Sequence, residues 1–346
     1  MKPLSPSLPK LRRSTESTRR FGTTSKALPS SILGCVGNTP LVTLNQIRTR
    51  EDITVLGKLE MQNPGGSIKD RTAVSLLKNG IRAGLIKPGT RIVESSSGNL
   101  GIGLAQACRQ LGLALTIVVD SRTSSKVVKL VKLYGATIEV VRETRDGESL
   151  LDARLRRVRE LADSSPDVYW VNQYQNPANP AAHHATIGEI IRETRGQFDR
   201  IYVATSTCGT LAGCREYLNK RALYPHLEAV DATGSAIFQS KDKANLTKRH
   251  LPGHGSSRQS DFLKTDYVDG VTHVSDRECV EGCHFLLQQE GILAGGSSGG
   301  VISAFRRDEP YLESGTTVVL LLCDRGERYL DTINDEEWVE ATLTSN

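Results

Sequence analysis

The sequence is poor in aromatic residues, which make up 5% of its 346 residues. It also lacks any stretch that approaches the roughly 20 consecutive apolar residues needed to span a bilayer. We therefore predict a core of aliphatic side chains and no membrane segment. The seven cysteines are an odd number spread over a long chain, which excludes a disulfide framework and favours a reduced, cytoplasmic setting. Cys279 and Cys283 lie four residues apart without the further ligands that a metal site needs, so no metal is predicted.

The sequence also lacks a strong excess of one charge. It contains 44 Lys and Arg residues and 39 Asp and Glu residues, which gives a net charge of +5. Much of that excess lies in residues 1–30, which are rich in Ser, Pro, Lys and Arg. The rest of the chain is close to neutral, so we predict no nucleic-acid partner. Residues 1–30 are predicted to form a disordered basic tail. An organelle-targeting peptide is the alternative, which the prolines disfavour.

From residue 53 onward, short β-rich runs alternate with helical stretches. Some of the runs are almost wholly apolar, such as LTIVVD (115–120) and TTVVLLLCD (316–324), which is typical of parallel strands buried on both faces. The predicted strands are 53–60, 91–95, 115–120, 137–142, 200–205, 227–231 and 316–323, and the predicted helices are 69–83, 99–111, 125–134, 150–162 and 276–289. This order predicts an α/β fold of parallel sheets flanked by helices. The polar segment 241–261 is predicted to be a mobile loop near a site.

The first of four glycine- and serine-rich segments is NPGGSIKDR, residues 63–71. Its Asn-Pro-Gly-Gly run predicts a turn, and Ser67 is predicted to cap the helix that follows. Lys69 then falls in the first helical turn, where the helix favours negative charge. An amine there has a reason to lose its proton, and a neutral amine is what imine formation requires. By itself the segment is equally compatible with a solvated surface lysine.

The other three segments also fall where strands are predicted to meet helices or loops, which is where open parallel sheets bind ligands. ESSSGNLGIGLAQAC (94–108) is predicted to cradle an anion such as an amino-acid carboxylate. ATSTCGTLAG (204–213) offers small residues and hydroxyls to a phosphate, but it lacks the Gly-Lys end of a nucleotide-binding loop. In GILAGGSSGGVISA (291–304), Ser297 or Ser298 could present a hydroxyl to a pocket, or a serine could simply cap a helix.

In this order and spacing, and with GNTPLVTL at 37–44, the four segments resemble the fold-type II pyridoxal-phosphate (PLP) enzymes of the cysteine synthase and cystathionine β-synthase family. The resemblance runs from about residue 31 to about residue 331. It implies a two-domain fold like that of the tryptophan synthase β-subunit, with PLP as cofactor and a homodimeric assembly. The larger, PLP-binding domain would comprise 31–68 and 175–335, and the smaller, mobile substrate-loop domain would comprise 69–174.

The resemblance also implies a role for each matched residue. Lys69 would carry the cofactor as a Schiff base and move the substrate's α-proton, Ser297 would meet the pyridine nitrogen, and Asn99 would bind the cofactor's 3′-oxygen. A five-residue loop would cradle the cofactor phosphate: Ser206, Thr207, Cys208, Gly209 and Thr210. The substrate would be held by Ser96, Ser97, Asn99, Gln173, Tyr174 and Ser206. The implied activity is that of a transferase that catalyses β-replacement.

The chain departs from the usual cysteine synthase pattern at Ser206 and Cys208, where glycine is usual, and at Tyr174, where phenylalanine is usual. The added hydroxyls, on Ser206 and Tyr174, indicate a more polar substrate or nucleophile. ESSSGNLG, VDATGSAIF (230–238) and HVSDRECVEGC (273–283) are similar to the 2,3-diaminopropionate branch of the family. That branch makes N-(2-amino-2-carboxyethyl)-L-glutamate from O-phospho-L-serine and L-glutamate, for siderophores and peptide antibiotics.

Two alternatives to that activity stay open. One is a cysteine synthase that uses O-acetyl-L-serine or O-phospho-L-serine with sulfide. The other is a non-catalytic regulatory paralogue, which the intact Lys69 and Asn99 disfavour.

Five further polar residues have no firm role at this point. For His183 and His184, which open a predicted helix, structural or surface roles are favoured over acid–base catalysis. Three basic residues could bind a phosphate leaving group or the carboxylates of glutamate, with solvated surface charge as the default interpretation: Arg122, Lys126 and Arg258.

Overall fold

The computed structural model describes residues 29–238, 249–264 and 266–343. The predicted basic tail lies outside the described residues except for its last two, and so do residues 241–248 of the polar segment predicted as a mobile loop. In the ranges that are described, no helix is both long enough and apolar enough to cross a membrane.

Strands and helices alternate along most of the described chain. The strands are β1 (Leu41–Thr43), β2 (Thr54–Leu59), β3 (Arg91–Ser95), β4 (Ala114–Asp120), β5 (Thr137–Val141), β6 (Val168–Trp170), β7 (Arg200–Ala204), β8 (His226–Ala232), β9 (Gly270–Val274) and β10 (Thr317–Leu322). The helices are α1 (Lys69–Arg82), α2 (Asn99–Leu111), α3 (Ser125–Leu133), α4 (Leu150–Asp163), α5 (Ala178–Thr194), α6 (Gly209–Lys220), α7 (Asp276–Glu290), α8 (Gly296–Asp308) and α9 (Glu336–Leu343). Each strand and helix predicted from the sequence is present, with its ends within one residue of the prediction.

The strands form two sheets. The six-stranded sheet has the order β1-β2-β10-β7-β8-β9, in which only β1 runs antiparallel to its neighbour. The four-stranded sheet has the order β5-β4-β3-β6 and is wholly parallel. The prediction of an α/β fold with parallel sheets flanked by helices is thus confirmed. The four-stranded sheet is built within the range 69–174 predicted for the smaller domain, and the division into domains stays a prediction.

The apolar runs that marked the central strands are buried on both faces. In β4 every residue after the first is buried, and in β10 every residue after the first is buried as well. Helices cover both sides of such strands, so that neither side of the strand needs polar residues. The resulting core is mainly aliphatic, as the composition predicts.

Local capping explains several of the helix starts. The Ser124 hydroxyl accepts a hydrogen bond from the backbone of α3, and the Ser149 hydroxyl accepts one from the backbone of α4. Ser275 and Glu278 form a reciprocal capping box at the start of α7. These local bonds fix where the helices begin and therefore where the loops that precede them point.

Candidate active site

A cavity of about 260 Å³ lies at the carboxyl ends of strands from both sheets. Its walls include residues that closely follow β3, β6, β7 and β10, as expected for a ligand site in parallel sheets. Every residue predicted for the site lines this cavity: Lys69, Ser96, Ser97, Asn99, Gln173, Tyr174, Ser206, Thr207, Cys208, Gly209, Thr210 and Ser297.

Lys69 is the first residue of α1 and is half-buried, with its side chain on the cavity wall. Burial lowers the pKa of Lys69 from its ordinary value of 10.5, against the opposing influence of Cys323, Cys208 and Asp324. A lowered pKa makes the neutral amine more accessible, which is the form that attacks an aldehyde. Lys69 is therefore suited to imine formation, and the surface-lysine alternative does not describe it.

The turn before α1 differs from the prediction in one detail. The N-cap position of α1 is Ile68, one residue after Ser67, and Ile68 has no side-chain cap. The Ser67 hydroxyl nevertheless accepts a hydrogen bond from the Lys69 amide at 3.2 Å, so Ser67 bonds to the start of the helix from the preceding position. Ser67 and Ile68 also bond to the end of β10: Ser67 forms a bridge with Asp324, and the Ile68 amide donates to the Cys323 carbonyl at 2.9 Å. This pairing holds the start of α1 against β10, which explains the position of Lys69.

The phosphate loop leads from β7 into α6, which begins at Gly209. Cys208 adopts the left-handed conformation, with φ 63°, which is uncommon for a residue other than glycine. A Cβ atom at Gly209 would lie 2.2 Å from Asn179 Oδ1, so no side chain fits there. Asn179 also donates from Nδ2 to Thr207 Oγ1 at 3.2 Å and to the Gln173 carbonyl at 2.7 Å. The unpaired amides at the start of such a helix favour an anion.

His183 lies beneath this loop and is fully buried. Its Nε2 is 3.2 Å from Thr72 Oγ1 and 3.3 Å from Thr210 Oγ1. Burial, with the nearby cations, lowers the pKa of His183 well below its ordinary value. A neutral imidazole that links a hydroxyl of α1 to one of α6 supports the loop from below, a structural position. His184 is partly exposed and lies 3.2 Å from Glu216.

Three side chains of the serine-rich turn after β3 have different roles. Ser96 is buried, and its hydroxyl accepts a hydrogen bond from the Gly101 amide at 2.9 Å. Ser97 is half-buried on the cavity wall. Asn99 begins α2; its Nδ2 donates to Asp324 Oδ2 at 2.8 Å, and Arg328 donates to its Oδ1. The Ser96 hydroxyl therefore shapes the turn, while Ser97 and the start of α2 face the cavity.

Glu94 joins the turns that follow β3 and β6. Its carboxylate accepts hydrogen bonds from the backbone amides of Ser95 (2.6 Å) and Gln173 (3.0 Å) and from Trp170 Nε1 (3.2 Å). Burial raises the pKa of Glu94 to about 7 against these hydrogen bonds. Gln173 also donates from Nε2 to the Ser95 carbonyl at 2.9 Å. The two turns that face the cavity from the four-stranded sheet are thus held as one unit.

Tyr174, the next residue, is half-buried at the cavity. Burial raises the pKa of Tyr174 to about 12, so the phenol is neutral at physiological pH. The Arg258 guanidinium lies over the Tyr174 ring, 5.6 Å from its centroid, and it is 3.6 Å from Asp261. Lys126 is paired with Asp331 at 2.8 Å. Of the three basic residues without a firm role, Arg258 and Lys126 therefore have partners already.

The fourth glycine- and serine-rich segment contributes one serine to the cavity. The N-cap of α8 is Gly295, without a side-chain cap, so a serine cap is not what this segment provides. The Ser298 hydroxyl is buried and accepts a hydrogen bond from the Cys323 amide at 2.9 Å. Ser297 is half-buried and lines the cavity. Of the two candidates, Ser297 is thus the one that faces the cavity.

Four charged residues at or around the cavity were missed by the sequence analysis: Arg154, Arg249, Asp324 and Arg328. Arg154 is buried on α4 with its Nε 3.1 Å from Asp120. Asp324 is buried after β10 and also accepts a hydrogen bond from Tyr329 at 2.6 Å. Of these four residues, only Asp324 could have been predicted from the sequence, because it directly follows a predicted strand. The arginines lie on a helix or in loops, where a charged residue is usually solvated.

Cys279 and Cys283 are packed thiols. Both are buried on α7; Cys279 Sγ lies 3.5 Å from His254 Nδ1, and Cys283 donates to the Gly295 carbonyl at 3.3 Å. Within the described ranges, no group of three or more His, Cys, Asp or Glu side chains could hold a metal ion.

The residues around the cavity fit the cofactor that the resemblance implies. A half-buried lysine with a lowered pKa suits an aldehyde, and Ser297 offers a neutral hydroxyl to a ring nitrogen. The start of α6, with the Thr207 and Thr210 hydroxyls beside it, suits a phosphate. Because no side chain fits at Gly209, the backbone of the loop would face that phosphate at this position.

Comparisons with known proteins agree with this chemistry. A family model described as "Pyridoxal-phosphate dependent enzyme" matches residues 32–324. The chain is 43% identical over 319 residues to N-(2-amino-2-carboxyethyl)-L-glutamate synthase of Ralstonia nicotianae (strain ATCC BAA-1114 / GMI1000), covering 92% of this chain and 93% of that protein. The crystal structure of O-ureido-L-serine synthase superposes with a TM-score of 0.81 at 29% identity and covers 92% of this chain and 100% of its own. Cysteine synthase from Entamoeba histolytica gives 0.83 at 28% identity, with coverages of 97% and 99%.

Proposed function

Because the chain belongs to the family of pyridoxal-phosphate-dependent enzymes, with the cysteine synthase-like fold-type II architecture, we propose that it condenses O-phospho-L-serine with L-glutamate. The products are N-(2-amino-2-carboxyethyl)-L-glutamate, a precursor of L-2,3-diaminopropionate, and inorganic phosphate. The observation that carries this proposal is the 43% identity to a synthase of that name over 92% of the chain. The chain is an enzyme and its cofactor is PLP.

The cofactor would be held by Lys69, by the loop from Ser206 to Thr210 and by Ser297. When bound, PLP withdraws electrons from the α-carbon of an amino acid and so makes the α-proton acidic. Lys69 is the cavity amine that would then take that proton, because its lowered pKa leaves it neutral part of the time. Asn99, oriented by Asp324 and Arg328, would flank the cofactor ring.

The substrate carboxylate would lie at the start of α2, where Ser97 and the first backbone amides face the cavity. Glu94 and Gln173 would keep this turn in register with the turn after β6. Tyr174 would present its neutral phenol as a hydrogen-bond donor, consistent with a polar substrate.

The proposed reaction balances without any oxidant or reductant. The α-proton moves to Lys69, and the bond between the β-carbon and the phosphate oxygen breaks, with the electron pair leaving on phosphate. The glutamate nitrogen then forms a bond to the β-carbon, Lys69 returns its proton to the α-carbon, and the nitrogen loses one proton to solvent. These steps require a positioned base and hydrogen-bond donors, and the cavity offers Lys69 and several hydroxyls for these roles.

The two alternatives raised by the sequence are not favoured. A non-catalytic paralogue is disfavoured by membership of an enzyme family with the lysine in place. A cysteine synthase is disfavoured by the higher identity to the glutamate-dependent synthase, 43% against 28% for the cysteine synthase reported above. A role in siderophore or peptide-antibiotic synthesis and a homodimeric state are part of the proposal and rest on the family resemblance. A cytoplasmic location is also part of the proposal and rests on the odd number of dispersed cysteines.

The proposal is tested by mass spectrometry of the products. The PLP-loaded protein is incubated with O-phospho-L-serine and either L-glutamate or sulfide. We expect the condensation product and free phosphate with glutamate. Faster turnover with sulfide, and no condensation product, would overturn the proposal.

The lysine assignment has its own test. Lys69→Ala should lose both turnover and the visible absorbance of the protein-bound imine. Lys78→Ala, an exposed lysine on the same helix, is the matched control and should retain both.

A further inference from the structure

A second, larger cavity of about 680 Å³ adjoins the first, and we call it the outer chamber. The two share part of their walls, so the outer chamber continues the inner cavity toward α3 and α4. The shared residues include Ser97, Asn99, Leu151, Arg154, Arg249 and Pro252. A molecule that reacts in the inner cavity can therefore extend into the outer chamber.

The outer chamber is lined by four arginines and one carboxylate. The carboxylate, Asp120, is paired with Arg154 at 3.1 Å. Arg328 donates to Asn99 and to the Gly65 carbonyl. Two arginines are left over, Arg122 and Arg249, and neither forms an ion pair with any carboxylate in the described part of the chain.

Arg249 is half-buried, and its only hydrogen bond among the described residues goes from Nη1 to the His254 carbonyl at 3.2 Å. Burial lowers the pKa of Arg249 from its ordinary value, against the opposing influence of Asp231 and Asp276, yet a guanidinium stays charged in proteins. A partly desolvated cation that has no direct ion pair in the described part of the chain is costly, and an anionic ligand would relieve that cost. Arg122 is exposed and lines the outer chamber only.

The outer chamber also has apolar wall residues, among them Leu151, Leu251 and Trp338, beside hydroxyls such as those of Ser149 and Thr332. An occupant should therefore combine short apolar segments with more than one negative charge. A dicarboxylic amino acid has this pattern, because methylene groups separate its two carboxylates.

We propose that the outer chamber binds the nucleophilic substrate as a dicarboxylic amino acid, with Arg122 and Arg249 holding its carboxylates. This inference rests on the proposed function, which supplies glutamate as that substrate. The glutamate nitrogen must reach the β-carbon in the inner cavity, so its carboxylates extend outward. The phosphate that leaves is attached to the β-carbon itself, so it departs within the inner cavity, which Arg122 does not line.

The test compares L-glutamate with L-glutamine, which has the same shape but one carboxylate fewer. Arg249→Gln and Arg122→Gln should each raise the KM for glutamate about ten- to a hundredfold, the effect of losing one hydrogen-bonded charge pair. The variant that loses the partner of the side-chain carboxylate should change the KM for glutamine far less, so in that variant the preference for glutamate over glutamine should shrink. The variant that loses the partner of the α-carboxylate should raise both KM values alike, because glutamine keeps that carboxylate. Arg109→Gln, an exposed arginine at the other end of α2, is the control and should change neither value.

A second measurement tests whether the outer chamber binds the nucleophilic substrate or the phosphate leaving group. Phosphate release from O-phospho-L-serine is followed without any nucleophile. Slower release in the variants, with the KM for glutamate within about twofold of the wild type, would overturn the inference and assign the chamber to phosphate. Equal losses for glutamate and glutamine in both variants would also overturn it.

The wild-type arm distinguishes this inference from the proposed function. If the wild-type protein forms no product from glutamate, the proposed function fails, and the inference fails with it. If the wild type forms product and only the variant predictions fail, the inference alone is wrong. Arg122 is exposed, so Arg122→Gln keeps the test valid even if Arg249→Gln does not fold.

Discussion

The replacement Arg71→Met probes the buried ion network that anchors α1, two residues after Lys69. The Arg71 guanidinium donates to Glu60 at 2.7 and 2.8 Å and to Glu189 with two bonds of 2.7 Å. Arg71, Glu60 and Glu189 are 5%, 0% and 6% exposed. After the replacement, Glu60 would keep only hydrogen bonds from Thr39 and Asn63, without a cation.

Glu189 would be affected less, because Lys58 lies 2.9 Å from its carboxylate and the Asn38 amide donates to it at 2.9 Å. The loss should therefore correspond to one stranded buried charge, about 3–5 kcal/mol of the free energy of unfolding. Arg192→Met on α5 is the matched control. Its ion pair with Glu193 is exposed, and its loss should cost less than about 1 kcal/mol.

The loss should also depend on pH. Burial acts to raise the pKa of Glu189, but hydrogen bonds from Arg71 and Lys58 hold it at about 2, below the ordinary 4.5. A carboxyl with a lowered pKa contributes stability that is present above its unfolded value and is lost as the pH falls toward the folded value. Without Arg71 this contribution shrinks, so the difference between wild type and Arg71→Met should be largest at neutral pH and should decrease below about pH 4.5.

The assay is urea unfolding of both proteins at equal cofactor saturation, followed from about pH 7 to about pH 3 so that it enters the window between the two pKa values of Glu189. A difference below about 1 kcal/mol at pH 7 would contradict the assignment of a buried ion network. A large difference that does not change with pH would contradict the role given to the carboxylates.

Two further predictions concern the turns around the cavity. Burial raises the pKa of Glu94 from 4.5 to about 7, so the native state should lose stability as the pH rises through that window; Glu94→Gln should lack this slope when unfolding free energies are compared from pH 5 to pH 8. Gly209→Ala would place a Cβ 2.2 Å from Asn179 Oδ1, so we expect PLP to bind about tenfold or more weakly in a titration of the apoprotein. Gly188→Ala on α5 meets only ordinary contacts, at 3.5 Å, and should leave that affinity unchanged; equal losses in both would refute the argument from close packing.

Much of the order of strands and helices could be predicted, because the predicted elements each show a local pattern. Apolar runs flanked by turn residues mark β4 and β10, and periodic segments mark α1 and α2. Strands β1 and β6 have three residues each, too few to show a pattern, and β9 alternates weakly. They belong to their sheets because neighbouring strands pair with them, which only the tertiary structure provides.

The sequence by itself also predicted the cofactor-binding part of the site. Four glycine- and serine-rich segments, each recognisable from its own letters, contain all the residues predicted to bind the cofactor, and Lys69 is among them. They line one cavity because parallel strands bring their carboxyl ends to a common edge, which is a general property of such sheets.

The tertiary structure alone decided what each side chain is free to do. Ser96 and Ser298 look like their neighbours in the sequence, yet their hydroxyls are used by backbone amides, which leaves Ser97 and Ser297 to the cavity. Arg122 and Arg249 are ordinary charges in the sequence, and they become a candidate binding pair only because the fold places them beside the cavity without an ion pair to any carboxylate of the described ranges. The physical reason is that a polar group's availability depends on the partners packed around it, and those partners come from distant parts of the chain.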